Sequence, residues 1–137
     1  MKNLDWMAAS AAQAIIAQTI GEKAPKKKSD EVENLITKTL GILQENGVYA
    51  ALLYLYSRTD ATNKPIAEKT REKLLSLTCQ LLDLPELPAT NADTALKFLT
   101  DKICQNLDTL LLVKQLWEQT LIYTRYGAKA RSASALK

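Results

Sequence analysis

Helix breakers are scarce in this chain, and their positions fix most of its architecture. Glycine occurs only at 21, 41, 47 and 127, and proline only at 25, 65, 85 and 88, in 137 residues. Between these marks apolar residues recur every three to four positions, the spacing of one face of an α-helix. Leu4, Met7, Ala8, Ala11, Ala14, Ile15 and Gln18 define a first helix, with Asn3 as its cap and Gly21 as its stop. Residues 21–29 form a basic linker that Pro25 keeps from being a helix interior. Ser29 or Asp30 is then expected to cap a second helix, which buries Val32, Leu35, Ile36, Leu40 and Leu43. Asp30, Glu31 and Glu33 fall in its first turn, where the helix dipole favours them.

Asn46-Gly47 is the strongest break. Between strands it would be a hairpin turn. Its flanks are instead helically spaced before and rich in Ala and Leu after, so a helix ending and restarting at a new angle fits better. A short buried strand over 49–56 also accommodates the second flank. A polar loop follows from Arg58 to Lys64, and Pro65 opens a helix carrying Ile66, Lys69, Lys73, Leu74, Leu77, Leu81 and Leu82. Leu84-Pro85-Glu86-Leu87-Pro88 ends it. Thr90 or Asn91 caps a fifth helix to about 105 that buries Ala95, Leu96, Leu99 and Ile103. A last helix, about 107–127, either continues the fifth or is offset at Asn106. The expected fold is all-α, a compact single-domain bundle of five to six helices over 1–131, with 132–137 as a disordered tail.

The chain has no histidine. That removes His-based acid–base catalysis, Ser–His and Cys–His nucleophiles, His zinc sites and phosphohistidine relays. Cys79 and Cys104 stand alone in apolar runs, as small buried hydrophobes do in a reducing compartment. Four scattered glycines build no phosphate loop. The carboxylates Glu68 and Glu72 are interleaved with Lys69, Arg71 and Lys73, so they read as a solvated, salt-bridged face. No catalytic residue, metal site or cofactor is expected, and the chain does not read as an enzyme. Its longest apolar run, Val48–Tyr56, is nine residues, so no membrane span is expected and the cytoplasm is the expected location.

Binding signals are stronger. After Glu118 no acidic residue occurs, while Arg125, Lys129, Arg131 and Lys137 follow, mixed with Tyr123 and Tyr126. Arg125 and Lys129 are four apart and share a face on a helix that runs past Gly127; they suit phosphate binding or complement a helix C-terminus. Lys23, Lys26, Lys27 and Lys28 make the linker basic, and Lys38 and Arg58 flank the Asn-Gly break. Basic residues beside aromatics suit single-stranded RNA. At about 100° per residue, Leu107, Leu110, Leu111, Trp117 and Leu121 gather on one side of the last helix around Lys114. Leu112, Leu116 and Tyr123 gather opposite. Such a helix lies at the bundle centre or is shared with a protein partner.

The stretch 34–58, an amphipathic helix ending in Asn46-Gly47 and an Ala/Leu/Tyr helix closing on Arg58, resembles the small-subunit family of type III-B CRISPR RNA-targeting (Cmr) complexes. Leu121-Ile122-Tyr123-Thr124-Arg125-Tyr126-Gly127-Ala128 echoes that family's C-terminal signature, with Tyr123 where the family has Trp. The small subunit of type III-A complexes, also a basic helical bundle, is similar to this pattern and stands as the alternative family. The resemblance implies a non-catalytic building block. Its copies would stack with other effector subunits and hold guide and target RNA, while cleavage belongs elsewhere. It carries Arg58 and Arg125 over as RNA-binding residues; Lys38 and Lys129 join them from the charge and spacing argument. The alternative is a helical adaptor that meets only protein.

Overall fold

The structure, a computed structural model, describes residues 2–85 and 91–135. Among these residues it holds six α-helices, a short π-helical stretch and no strand, an all-α bundle as the spacing requires. The Glu86–Pro88 part of the expected stop, Thr90 as an alternative cap, and Lys137 lie outside the described residues.

Local chemistry sets most helix ends. Helix α1 spans Leu4–Thr19, and the Asn3 side chain accepts a hydrogen bond from the Trp6 N–H at 3.0 Å. Helix α5, Ala92–Phe98, starts the same way, with Asn91 accepting from the Thr94 N–H at 2.8 Å. It passes into a π-helical stretch over Leu99–Ile103, where the Cys104 N–H reaches the Leu99 carbonyl at 2.8 Å. Helix α6, Leu107–Ala135, restarts after Asn106, whose side chain accepts from the Thr109 N–H at 3.0 Å. Helix α4 is Asn63–Leu81; Asp60 accepts from the Asn63 N–H at 3.1 Å, and Pro65 sits in the first turn, where no N–H is needed.

Helix α2, Lys26–Asn46, begins at Lys26 rather than after Ser29. Pro25 is its cap residue, its fixed φ of −69° leading directly into the first turn. Three lysines are therefore wound into the helix rather than left in a linker. Lys26 pairs with Asp30 at 2.7 Å, which offsets the unfavourable cations at the positive end of the dipole. Neither Ser29 nor Asp30 caps the helix. Ser29 is buried, and Asp30 accepts from the Ser132 hydroxyl at 2.9 Å.

Gly47 joins α2 to helix α3, Val48–Ser57, with φ +98° and ψ −175°. This region of backbone space is open essentially to glycine alone. Its N–H closes α2 on the Leu43 carbonyl at 3.0 Å, and its carbonyl opens α3 by accepting from the Ala51 N–H at 3.1 Å. One residue thus caps both helices. Residues 49–56 are helical, so the strand alternative falls.

Helix α6 is the centre of the bundle, packed most extensively on α2 and then on α1. Asp30 against Ser132 makes α2 antiparallel to α6. Asp5 near Tyr123 and Arg131 on the Gly21 carbonyl make α1 run with it. The Lys2–Asp83 pair sets α1 antiparallel to α4. Trp117, fully buried, donates its indole N–H to the Thr78 hydroxyl at 2.9 Å and so ties α6 to α4.

The buried stripe of α6 is Val113, Leu116, Trp117, Thr120, Leu121, Thr124, Ala128 and Ser132. This corrects the face read from the leucines. Leu116 turns inward with Trp117 and Leu121, whereas Leu107, Leu111 and Leu112 are exposed. Lys114 leaves the apolar set and pairs with Glu118 at 3.9 Å. The stripe also carries α6 to Ala135, so residues 132–135 are helix rather than tail; 136 and 137 lie outside the described residues.

Three outcomes follow from this packing. Gly47→Ala places a side chain in glycine-only backbone space and is expected to lower stability by about 1–3 kcal/mol in denaturant unfolding. Thr78→Val leaves the buried indole N–H without an acceptor and is expected to cost about 1–3 kcal/mol in the same measurement. The hydrogen bond from Lys26, then that from Ser132, holds the Asp30 carboxyl below its usual range. A lowered carboxylate stabilises the fold above its unfolded pKa, and the effect is lost as pH falls through the folded pKa. Asp30→Asn should therefore be less stable than the parent above about pH 4 and converge with it at lower pH.

Candidate nucleic-acid interface

The four arginines, Arg58, Arg71, Arg125 and Arg131, behave differently from the lysines. Every ion pair among the described residues is made by a lysine: Lys2–Asp83, Lys26–Asp30, Lys69–Glu72 and Lys114–Glu118. Among the described residues no arginine forms an ion pair with a carboxylate. Arg131 is spent on the Gly21 carbonyl, between α1 and α6. The other three each carry a buried Nε with no hydrogen-bond acceptor.

Two of these three rest on tyrosines of α3. Arg58 follows the helix as its cap residue, and its guanidinium lies 4.7 Å from the centre of the Tyr54 ring. Its one hydrogen bond is a long one, 3.4 Å to the Ser57 hydroxyl. Arg71 comes from α4, lies 4.3 Å from the Tyr56 ring centre and hydrogen-bonds the Tyr56 hydroxyl. Burial pushes the Tyr56 phenol up, partly opposed by the charge of Arg71. Asp60, the nearest acid to Arg58 in sequence, accepts from the Asn63 N–H and side-chain amide; the first of these chiefly holds its carboxyl below the usual range.

The other expected residues lie on α2 and α6. Lys38 is exposed on α2 and, by the antiparallel register set at Asp30 and Ser132, stands level with Thr124 and Arg125. Arg125 is half-buried, and Lys129, one turn on, is exposed. These three share one stretch of the α2–α6 pair. Arg58 belongs to the end of α3, and no hydrogen bond or ring contact joins it to them. The structure adds Arg71, which the sequence assigned to a salt-bridged face. Glu72 in fact pairs with Lys69 at 3.7 Å, leaving Arg71 to Tyr56. The partner sits on another helix, so no spacing rule announces it; the aromatic–basic run Tyr54-Leu55-Tyr56-Ser57-Arg58 was the available signal.

Other surfaces offer less. A groove of about 580 Å³ between α1 and α6 is lined mainly by small residues such as Ala9, Ala12, Gly127 and Ala130, and takes in none of the four expected cations. Cys79 is buried and Cys104 half-buried, and no disulfide joins them; burial pushes the Cys104 thiol up, which lowers its reactivity. At the start of α6, Leu107 is 66% and Leu111 53% exposed, beside Leu112. No helix among the described residues is long and apolar enough to cross a membrane. Comparison with known proteins finds no matching family, curated protein or solved structure.

Proposed function

We propose that the chain is a non-catalytic RNA-binding subunit of a type III CRISPR effector complex, of the type III-B small-subunit kind. It stacks in copies beside the other subunits and holds the backbone of guide and target RNA through Lys38, Arg58, Arg125 and Lys129, with Arg71 beside Arg58. The observation that carries this reading is that, among the described residues, lysines make every ion pair and arginines none. An arginine not neutralised within its own protein keeps its forked donors for a phosphate. The net charge of +3 then understates the charge available to a polyanion. The two helical segments that carry the likeness, 34–58 and 121–128, also present Arg58 and Arg125. Cytoplasmic location belongs to the same reading.

Phosphate contacts of this kind are tolerant of sequence and sensitive to salt. Replacing Arg58, Arg125 and Lys129 together by Glu is expected to weaken single-stranded RNA binding at least tenfold. Three lost contacts should also flatten the slope of log affinity against log salt by about two. Filter binding across a salt series reads both, and unchanged affinity and slope would overturn the assignment. The exposed Leu107, Leu111 and Leu112 favour a second reading, an adaptor that meets only protein through the start of α6. Ultraviolet crosslinking of the assembled particle to labelled RNA separates the two, because an adaptor yields no adduct on this chain.

A further inference from the structure

We propose that the last turn of α3 is a seat for an unpaired nucleobase, which stacks on the outer face of the Arg58 guanidinium while the inner face rests on Tyr54, with Arg71 on Tyr56 taking the neighbouring phosphate. This deepens the RNA-binding reading and rests on it. Two cation–π pairs are an ordinary number for a chain this long. Their placement is not ordinary, since both tyrosines fall within one helical turn, and among the described residues neither arginine makes an ion pair. Asp60, on which the Arg58 charge acts weakly, takes its hydrogen bonds from Asn63.

A guanidinium is a flat plate with two stacking faces and a rim of donors. In Arg58 the guanidinium carbon stands over the Tyr54 ring, which covers the group from that side, and the Nε is buried without an acceptor. The side chain is half-exposed, and Asp60 is engaged by Asn63. A second face and the outer rim therefore remain for a ligand. Bases stack on arginine planes and on aromatic rings, and only an unpaired base has a face to offer. A lysine would still attract a phosphate here as a point charge but has no plane. That difference separates base stacking from simple charge.

The test compares the full chain with Arg58→Lys and Tyr54→Leu, each checked for parental helicity and melting. The probes are a single-stranded RNA of about 12 nucleotides carrying one 2-aminopurine and a blunt duplex of the same length. The parent should bind the single strand more tightly and change 2-aminopurine fluorescence by stacking. Arg58→Lys should weaken the single strand about tenfold, abolish the fluorescence change and shift duplex affinity less than twofold. Tyr54→Leu, which unseats the plate, should behave alike. Equal losses on both probes, or parental binding by Arg58→Lys, overturn the base seat and leave RNA binding standing. A parent that binds neither RNA overturns the RNA-binding reading itself. A parent that instead binds polyglutamate, with the same loss on Arg58→Lys, assigns the arginines to an acidic protein.

Discussion

A buried indole can join two helices only where its N–H meets an acceptor, and the bundle turns on that condition at Trp117. Its partner is the Thr78 hydroxyl, itself buried, which in turn donates a hydrogen bond to the Leu74 carbonyl at 2.9 Å. The same device recurs along the core. Thr39, Thr70, Thr120 and Thr124 are buried, and each hydroxyl donates to the carbonyl four residues back at 2.8 Å. A threonine satisfied inside its own helix presents roughly the shape of a valine to its neighbour and leaves no polar group unpaired. Helix α6 can therefore occupy the centre although its stripe is not wholly apolar.

That condition also explains where the sequence was legible and where it was not. Helix ends set by short-range chemistry were readable: the Asn3 and Asn91 caps, the offset at Asn106 and the break at Gly47 each depend on residues within four positions. The inward face of α6 was not, because Thr120 and Thr124 count as polar until their hydroxyls are seen to be satisfied. The large apolar residues alone then drew two opposite sides, with Leu111 beside Trp117 and Leu116 across from it, whereas Leu116 is buried with Trp117 and Leu111 is exposed. The start of α2 was missed because no side chain caps it; an i,i+4 ion pair and the rigid Pro25 suffice. The expected cations were readable as residue types but not as a constellation. Arg71 was lost because its tyrosine lies 15 residues away on another helix.

The division of labour between lysine and arginine follows from their solvation. An exposed lysine pair contributes little and is screened by salt, yet it costs little to form at a helix surface. Here such pairs take up Asp30, Glu72, Asp83 and Glu118. Arginine is more weakly hydrated and planar, so it can lie on a tyrosine with part of its edge out of water. Every acid paired among the described residues is thus paired with a lysine, and the guanidinium groups of Arg58, Arg71 and Arg125 enter no described ion pair.

The position of those guanidinium groups depends in turn on the backbone of one residue. Gly47 fixes the angle between α2 and α3, and α3 has only ten residues in which to pass from the core to the surface. Val48, Ala51, Leu52 and Leu55 anchor its inner side, which leaves Tyr54 and Tyr56 at the edges of that buried stripe, half-covered. A half-covered tyrosine has one face for the protein and one for a partner. Arg58 takes the first such face from the cap of α3 and Arg71 the second from α4. The glycine before α3 and the arginine after it are thus joined by one ten-residue helix. A change at residue 47 that swung α3 would carry Tyr54, Tyr56 and Arg58 with it and part Tyr56 from Arg71 on α4, while leaving the cations of α6 in place.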